Sequence, residues 1–302
     1  MRAMLKPGDL RGALTALVTP FTADRSAIDW AAFDTLVAGQ LAGGISGLVP
    51  CGTTGETPTL RSDEKLALVK RTVELARGRC PVIAGAGSFS TDDTIASAQA
   101  FAKAGVDAVM VVMPYYNRPS QQGLIEHLTS IARAVDVPLV LYNHPGRTGV
   151  DLGADATATV CERAPNIIAL KDATGNVLRC QELVRRLGDR LCVLSGDDAL
   201  TVPMMACGAQ GLISTTSNLL PEHVSHVCRQ VLAGEWDKAR HAHLKLLPVY
   251  ESMFLEPSPA PVKFALARLG RMQACVRRPL LEVSEPVAAR ITEALQRFSV
   301  ET

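Results

Sequence analysis

The chain has 302 residues, 47% of them hydrophobic and 20% charged, and its 31 lysines and arginines against 30 aspartates and glutamates leave a formal net charge of +1. So even a balance excludes a nucleic-acid surface or a polybasic membrane patch as the chief means of recognition, and the expected partner is a small molecule. The hydrophobic fraction suffices for one large core, and α/β barrels commonly run to about 250 residues as a single unit.

In chain order, residues 1–12 lack the apolar core of a signal peptide, and the longest apolar stretch, 108–113, is far short of a membrane span. A soluble, cytoplasmic protein is expected. Short β-branched or apolar runs then recur at 13–18, 47–49, 82–84, 108–112, 139–142, 167–170, 191–194 and 211–213. Each is too short for a helix and each precedes an amphipathic stretch, so eight strand-helix alternations predict a closed parallel (β/α)8 TIM barrel. The intervening segments carry helix signals: Ser62-Asp63-Glu64 opens 66–75, and Thr91-Asp92-Asp93 opens 95–104 with Gly105 as the stop. After Ile213 the alternation ceases, and 221–233, 235–255, 260–269 and 285–298 read as helices with no strand between them. The prediction is an α/β barrel over 1–232 and a carboxyl-terminal helical appendix over 233–302.

The eight cysteines are scattered without a Cys-x-x-Cys pair, and several lie in apolar surroundings. They read as reduced, buried thiols, with neither a zinc site nor a disulfide framework, and no metal is expected. His223 with His226 and His241 with His243 lie on predicted helices, where a place on a helix face is the simpler reading.

A barrel of this kind carries its chemistry on the loops after the strands. The second run leads into Gly52-Thr53-Thr54-Gly55-Glu56, the fifth into Tyr142-Asn143-His144-Pro145-Gly146-Arg147-Thr148-Gly149, and the sixth into Lys171-Asp172-Ala173-Thr174-Gly175. Lys171, a lone amine just past an apolar strand, either snorkels to water or is a nucleophile for a carbonyl compound. Imine formation needs the free amine, which desolvation favours. The threonine turn offers backbone amides and two hydroxyls to a carboxylate, or is only a turn. Tyr142 is an interior aromatic or a proton shuttle, and Arg147 a surface charge or a bidentate clamp on a carboxylate. Each plain reading suffices singly; their coincidence on one face favours chemistry.

These segments, with Pro114-Tyr115-Tyr116-Asn117-Arg118-Pro119, Ser195-Gly196-Asp197-Asp198 and Glu256-Pro257-Ser258-Pro259-Ala260-Pro261-Val262-Lys263, occur in an order and spacing that resembles the dihydrodipicolinate synthase family of pyruvate-dependent class I aldolases and lyases. The resemblance runs over nearly the whole chain. It implies that Lys171 forms a Schiff base with pyruvate, that Thr53 and Thr54 hold the pyruvate carboxylate, and that Tyr142 is the general acid and base in a relay with Thr53 and Tyr116. In the family that second tyrosine comes from a neighbouring subunit, so the resemblance implies a dimer as the smallest complete unit and a homotetramer as the usual assembly. It further implies that Arg147 binds the carboxylate of aspartate semialdehyde, that Gly196 and the backbone of Ile213 line the pyruvate pocket, and that no cofactor enters. The alternative is a sibling aldolase or dehydratase acting on a sugar-derived or hydroxy 2-oxo acid, because fold and lysine alone do not choose the second substrate. Arg147 in its Gly-Arg-Thr-Gly setting favours a short aldehyde bearing a carboxylate. A non-catalytic oxo-acid binder is the remaining reading, and such a protein would be expected to have lost Lys171, Tyr142 or the threonine pair.

Three departures stand out. His144 takes a place where an aliphatic residue is frequent, and is expected to pack through its ring. Asp172 replaces a frequent glutamate with a shorter carboxylate. Where lysine-sensitive relatives carry histidines, an asparagine and a glutamate, this chain has Ser62, Lys65, Phe89 and Asp93, which predicts weak or absent inhibition by lysine.

Overall fold

In the computed structural model, residues 4–301 are described, with side chains through residue 299. Eight strands, β1 (Gly12–Ala16), β2 (Gly47–Val49), β3 (Ile83–Gly85), β4 (Ala108–Val112), β5 (Leu139–Asn143), β6 (Ile167–Asp172), β7 (Cys192–Ser195) and β8 (Gly211–Ser214), form one sheet in the order β2-β1-β8-β7-β6-β5-β4-β3. Every paired neighbour is parallel. The ring closes between β2 and β3 through the bridge Leu48↔Val82, with Leu48 N donating to Pro81 O at 2.9 Å and Gly85 N to Pro50 O at 2.9 Å. All eight predicted runs are strands of this barrel.

Alternation along the strands creates two cores. Val109 and Val111 of β4 and Leu139 and Leu141 of β5 face outward to the helices, while Ala108, Met110, Val140 and Tyr142 fill the barrel interior. β6 breaks the alternation. Ile167 faces outward opposite Leu139, the register then shifts, and Val140 pairs with Ala169, Leu141 with Leu170 and Tyr142 with Lys171. A strict two-residue period from Ile167 would leave Lys171 on the outer face; the shift turns it to the interior face beside Tyr142. The strand also runs farther than the apolar run suggests. Tyr142 and Leu194 flank Lys171 in the ladder, and Asn143 and Ser195 flank Asp172, so both residues belong to β6 and not to the loop after it.

Helices alternate with the strands: Trp30–Ala42, Ser62–Ala76, Thr91–Lys103, Gln121–Arg133, Ala154–Arg163, Val177–Leu187, Thr201–Ala206 and Pro221–Leu232. The caps match their local chemistry. Ser90 accepts from Asp93 N at the start of one helix, and Glu64 accepts from Arg61 N at 2.9 Å at the start of another. Trp236–Ser252, Ala260–Arg268 and Glu285–Glu301 follow without an intervening strand. None of the eight cysteines is joined in a disulfide, and seven are buried. No helix among the described residues is long and apolar enough to cross a membrane.

Candidate active site

The carboxyl ends of β5 and β6 bring Tyr142 and Lys171 side by side, both buried, with Lys171 Nζ 4.3 Å from the centroid of the Tyr142 ring. Beside them lies a cavity of about 230 Å³, room for a molecule of a few carbons, lined by Thr53, Tyr142 and Arg147 together with Cys51, Tyr115 and Thr148 among others. Mostly apolar walls carrying a few convergent polar groups are the ordinary make-up of a small-molecule site.

The threonine turn is a single 3-10 turn, Thr53–Gly55, closed by Gly55 N donating to Gly52 O and Glu56 N donating to Thr53 O, each at 3.0 Å. Thr53 lines the cavity; Thr54 is buried, its Oγ1 3.3 Å from Thr215 Oγ1. The strand beneath must carry glycine, because a Cβ on Gly85 would lie 2.2 Å from Cys51 O. Gly196 has a similar constraint: its amide donates to Asp172 O at 2.7 Å, and a Cβ there would stand 2.6 Å from Ala173 Cβ. Ile213 is buried in the barrel interior in the same cluster as Tyr142. Lys171, Thr54, Gly196 and Ile213 are not among the residues lining the cavity; Lys171 stands behind the Tyr142 ring that does.

Arg147 stands on the helical turn Pro145–Thr148, exposed at the cavity. His144, at the head of that turn, meets the Tyr142 ring edge-on with centroids 6.1 Å apart. Burial first, then the cations Arg147 and Lys171, push the imidazole down to about 4, so it is neutral at physiological pH and packs as a ring.

Tyr116 does not join this constellation. It is 92% exposed, in left-handed backbone at φ 73°, while its neighbour Tyr115 turns inward to line the cavity, edge-on to Phe89 with centroids 5.5 Å apart. The sequence reading passed over Tyr115; Tyr115-Tyr116 gave no sign of which ring faces inward, a choice made by backbone conformation. Cys51 was also passed over. It lines the cavity, but burial pushes its thiol up to about 12 and leaves it a poor nucleophile.

Beneath the site, ion pairs lock the strand ends. Asp172 Oδ1 accepts from Thr174 N at 2.9 Å and Thr174 Oγ1 at 2.7 Å, and its Oδ2 lies 3.3 Å from Arg179 Nε. Arg179 Nη1 lies 3.4 Å from Asp151 Oδ1, which accepts from Asn143 Nδ2 at 2.6 Å. The short carboxylate at 172 thus serves the strand behind the catalytic face. On the opposite side Asp198, buried, accepts from Ser214 Oγ and from Thr215 N at 3.2 Å, which fixes the end of β8 and the threonine facing Thr54.

Burial raises Asp198 to about 6, with the bonds from Ser214 and Thr215 opposing it. A carboxyl raised on folding adds stability below its unfolded value near 3.8, and that contribution is lost as pH rises through about 6. Asp198→Asn removes this titration. The stability of the native protein relative to the variant is therefore expected to fall by roughly 3 kcal/mol between acid and neutral pH. Urea unfolding of both proteins across that range checks it, and a constant difference would contradict it.

Among the described residues no group of three or more His, Cys, Asp or Glu is placed to hold a metal.

Comparison with known proteins places these features in a family. The sequence model of the dihydrodipicolinate synthetase family matches residues 9–298. The 4-hydroxy-tetrahydrodipicolinate synthase of Sorangium cellulosum is 60% identical over 289 residues, covering 96% of each chain. The solved structure of the 4-hydroxy-tetrahydrodipicolinate synthase of Methylacidiphilum fumariolicum superposes with a TM-score of 0.95 at 40% identity, covering 97% of each chain. That of the chloride-inhibited dihydrodipicolinate synthase of Acinetobacter baumannii, complexed with pyruvate, superposes with a TM-score of 0.94 at 38% identity, covering 96% of this chain and 99% of that one. Agreement of sequence and fold along nearly the whole length makes this chain a member of the dihydrodipicolinate synthetase family.

Proposed function

We propose that this lyase condenses pyruvate with L-aspartate semialdehyde to 4-hydroxy-tetrahydrodipicolinate, a reaction of diaminopimelate and lysine biosynthesis. The observation that carries the reading is the buried Lys171 amine against the ring of Tyr142, which lines a cavity together with Thr53 and Arg147. The relatives' shared activity supports it.

In this reading the Lys171 amine attacks C2 of pyruvate and the carbonyl oxygen leaves as water, giving a protonated imine. The imine draws electrons from the adjacent methyl, which loses a proton to form an enamine, and the enamine carbon bonds to the aldehyde carbon. The amino group of the second substrate then attacks C2, and Lys171 departs as the free amine. Tyr142 moves the protons through Thr53, because a free phenol releases its proton only near pH 10 and needs a relay at neutral pH. Thr53 and Thr54 hold the pyruvate carboxylate, with Gly196 and the Ile213 backbone behind it, and Arg147 clamps the carboxylate of the semialdehyde. No external cofactor takes part.

Tyr116 completes the relay from a second copy of the chain. Its 92% exposure fits a ring that points away from its own site. The assembly in this reading is a homotetramer made of two such dimers.

Steady-state turnover with both substrates, followed through a coupled reductase, tests the proposal. Saturable turnover is expected. Its absence, with Lys171 still trapped by borohydride and pyruvate, would transfer the second substrate to longer hydroxy 2-oxo acids. The effector response follows from the departures noted above: Phe89 is 51% exposed and apolar, and Lys65 is cationic. Millimolar lysine is expected to inhibit turnover weakly or not at all, and inhibition at sub-millimolar lysine would refute this.

A further inference from the structure

Glu56 and Lys263 form an ion pair with no exposed side-chain surface, Lys263 Nζ lying 2.7 Å from Glu56 Oε1. Lys263 comes from the helix Ala260–Arg268, in the helical part of the chain, yet its partner is the residue that follows the threonine turn. Glu56 itself holds left-handed backbone at φ 58°, a conformation that a side chain tolerates poorly and that needs support from its surroundings.

The support is extensive. Nζ also donates to Thr19 O at 2.9 Å and stands 4.3 Å from the centroid of the Phe21 ring. Thr19 Oγ1 donates to Gly55 O at 2.8 Å, so the same amine also holds the last residue of the turn through Thr19. The second oxygen of Glu56 accepts from Arg277 N at 2.8 Å, and the Arg277 guanidinium pairs with both oxygens of Glu64 at 2.7 Å. A Cβ on Gly55 would lie 3.1 Å from Leu17 O, so the turn is pressed against the exit of β1 as well.

A buried ion pair contributes little stability over an apolar pair of the same shape, since desolvation offsets the attraction. What it imposes is direction, because each hydrogen bond fixes an atom that an apolar contact would leave free to slide. Here those bonds converge on the carboxyl end of the three-residue turn, at Gly55 and Glu56, immediately after Thr53 and Thr54. We propose that Lys263, acting through Glu56 and Thr19, is a positioning residue for the hydroxyls that bind the pyruvate carboxylate, so that a helix outside the barrel strands governs the first substrate without touching it. This inference rests on the pyruvate reading above. The second substrate meets Arg147, on a different loop, and is outside the reach of the pair.

The test separates the two substrates. In Lys263→Met the pyruvate concentration that half-saturates borohydride trapping of Lys171 is expected to rise about tenfold or more, the usual worth of a misaligned hydrogen bond to a charged group. The KM for aspartate semialdehyde is expected to stay within about threefold of the native value, while kcat falls as well, because Thr53 shares the turn and relays protons for Tyr142. Should the unpaired glutamate prevent folding, Glu56→Gln with Lys263→Met removes both charges and is expected to show the same rise. A lowered melting temperature with unchanged pyruvate dependence would overturn the proposal, as would an equal loss for both substrates. Failure of the native protein itself to be trapped would overturn the role of Lys171 on which the inference stands.

Discussion

Replacing Lys171 with alanine is expected to lower kcat by at least about ten-thousandfold, because the covalent intermediate has no other amine from which to form. The residue is 6% exposed and its amine lies against the Tyr142 ring, so loss of the side chain empties space without opening the cavity wall made by Thr53, Arg147 and Thr148. Pyruvate binding, read by calorimetry, should persist at reduced affinity. Borohydride should no longer attach the three-carbon unit to the protein, which mass spectrometry reads directly. Lys171→Met, which keeps most of the volume, controls for collapse of the emptied space and should be equally inactive. Turnover within about tenfold of native in either variant would remove the nucleophilic role.

Tyr142→Phe should cost about a hundred- to a thousandfold in kcat, the usual worth of a positioned general acid and base. The ring of the variant can still stand over Lys171 and meet His144 edge-on, so the loss reports the hydroxyl and not the packing. Trapping of pyruvate on Lys171 should slow, because imine formation needs proton transfers, yet should still reach completion. A variant that keeps more than a third of native kcat would show that another group moves the protons.

The sequence by itself determined the strand count, the parallel barrel and the placing of three loops on one face, because alternation of short apolar runs with amphipathic segments admits few other folds. It also placed Thr53, Tyr142 and Arg147, which all line one cavity. The tertiary structure decided the rest. Lys171 faces the interior only because the register of β6 slips between Ile167 and Ala169, and a slip is set by the neighbouring strand's hydrogen bonds and packing, not by residue type. Tyr115 and not Tyr116 lines the cavity because the backbone turns left-handed at 116, a dihedral that adjoining tyrosines do not announce. The pairing of Glu56 with Lys263 joins residues 207 positions apart, and no local pattern carries a contact of that separation. Periodicity records which face a residue prefers. Register, left-handed turns and buried charge pairs are settled when the elements meet.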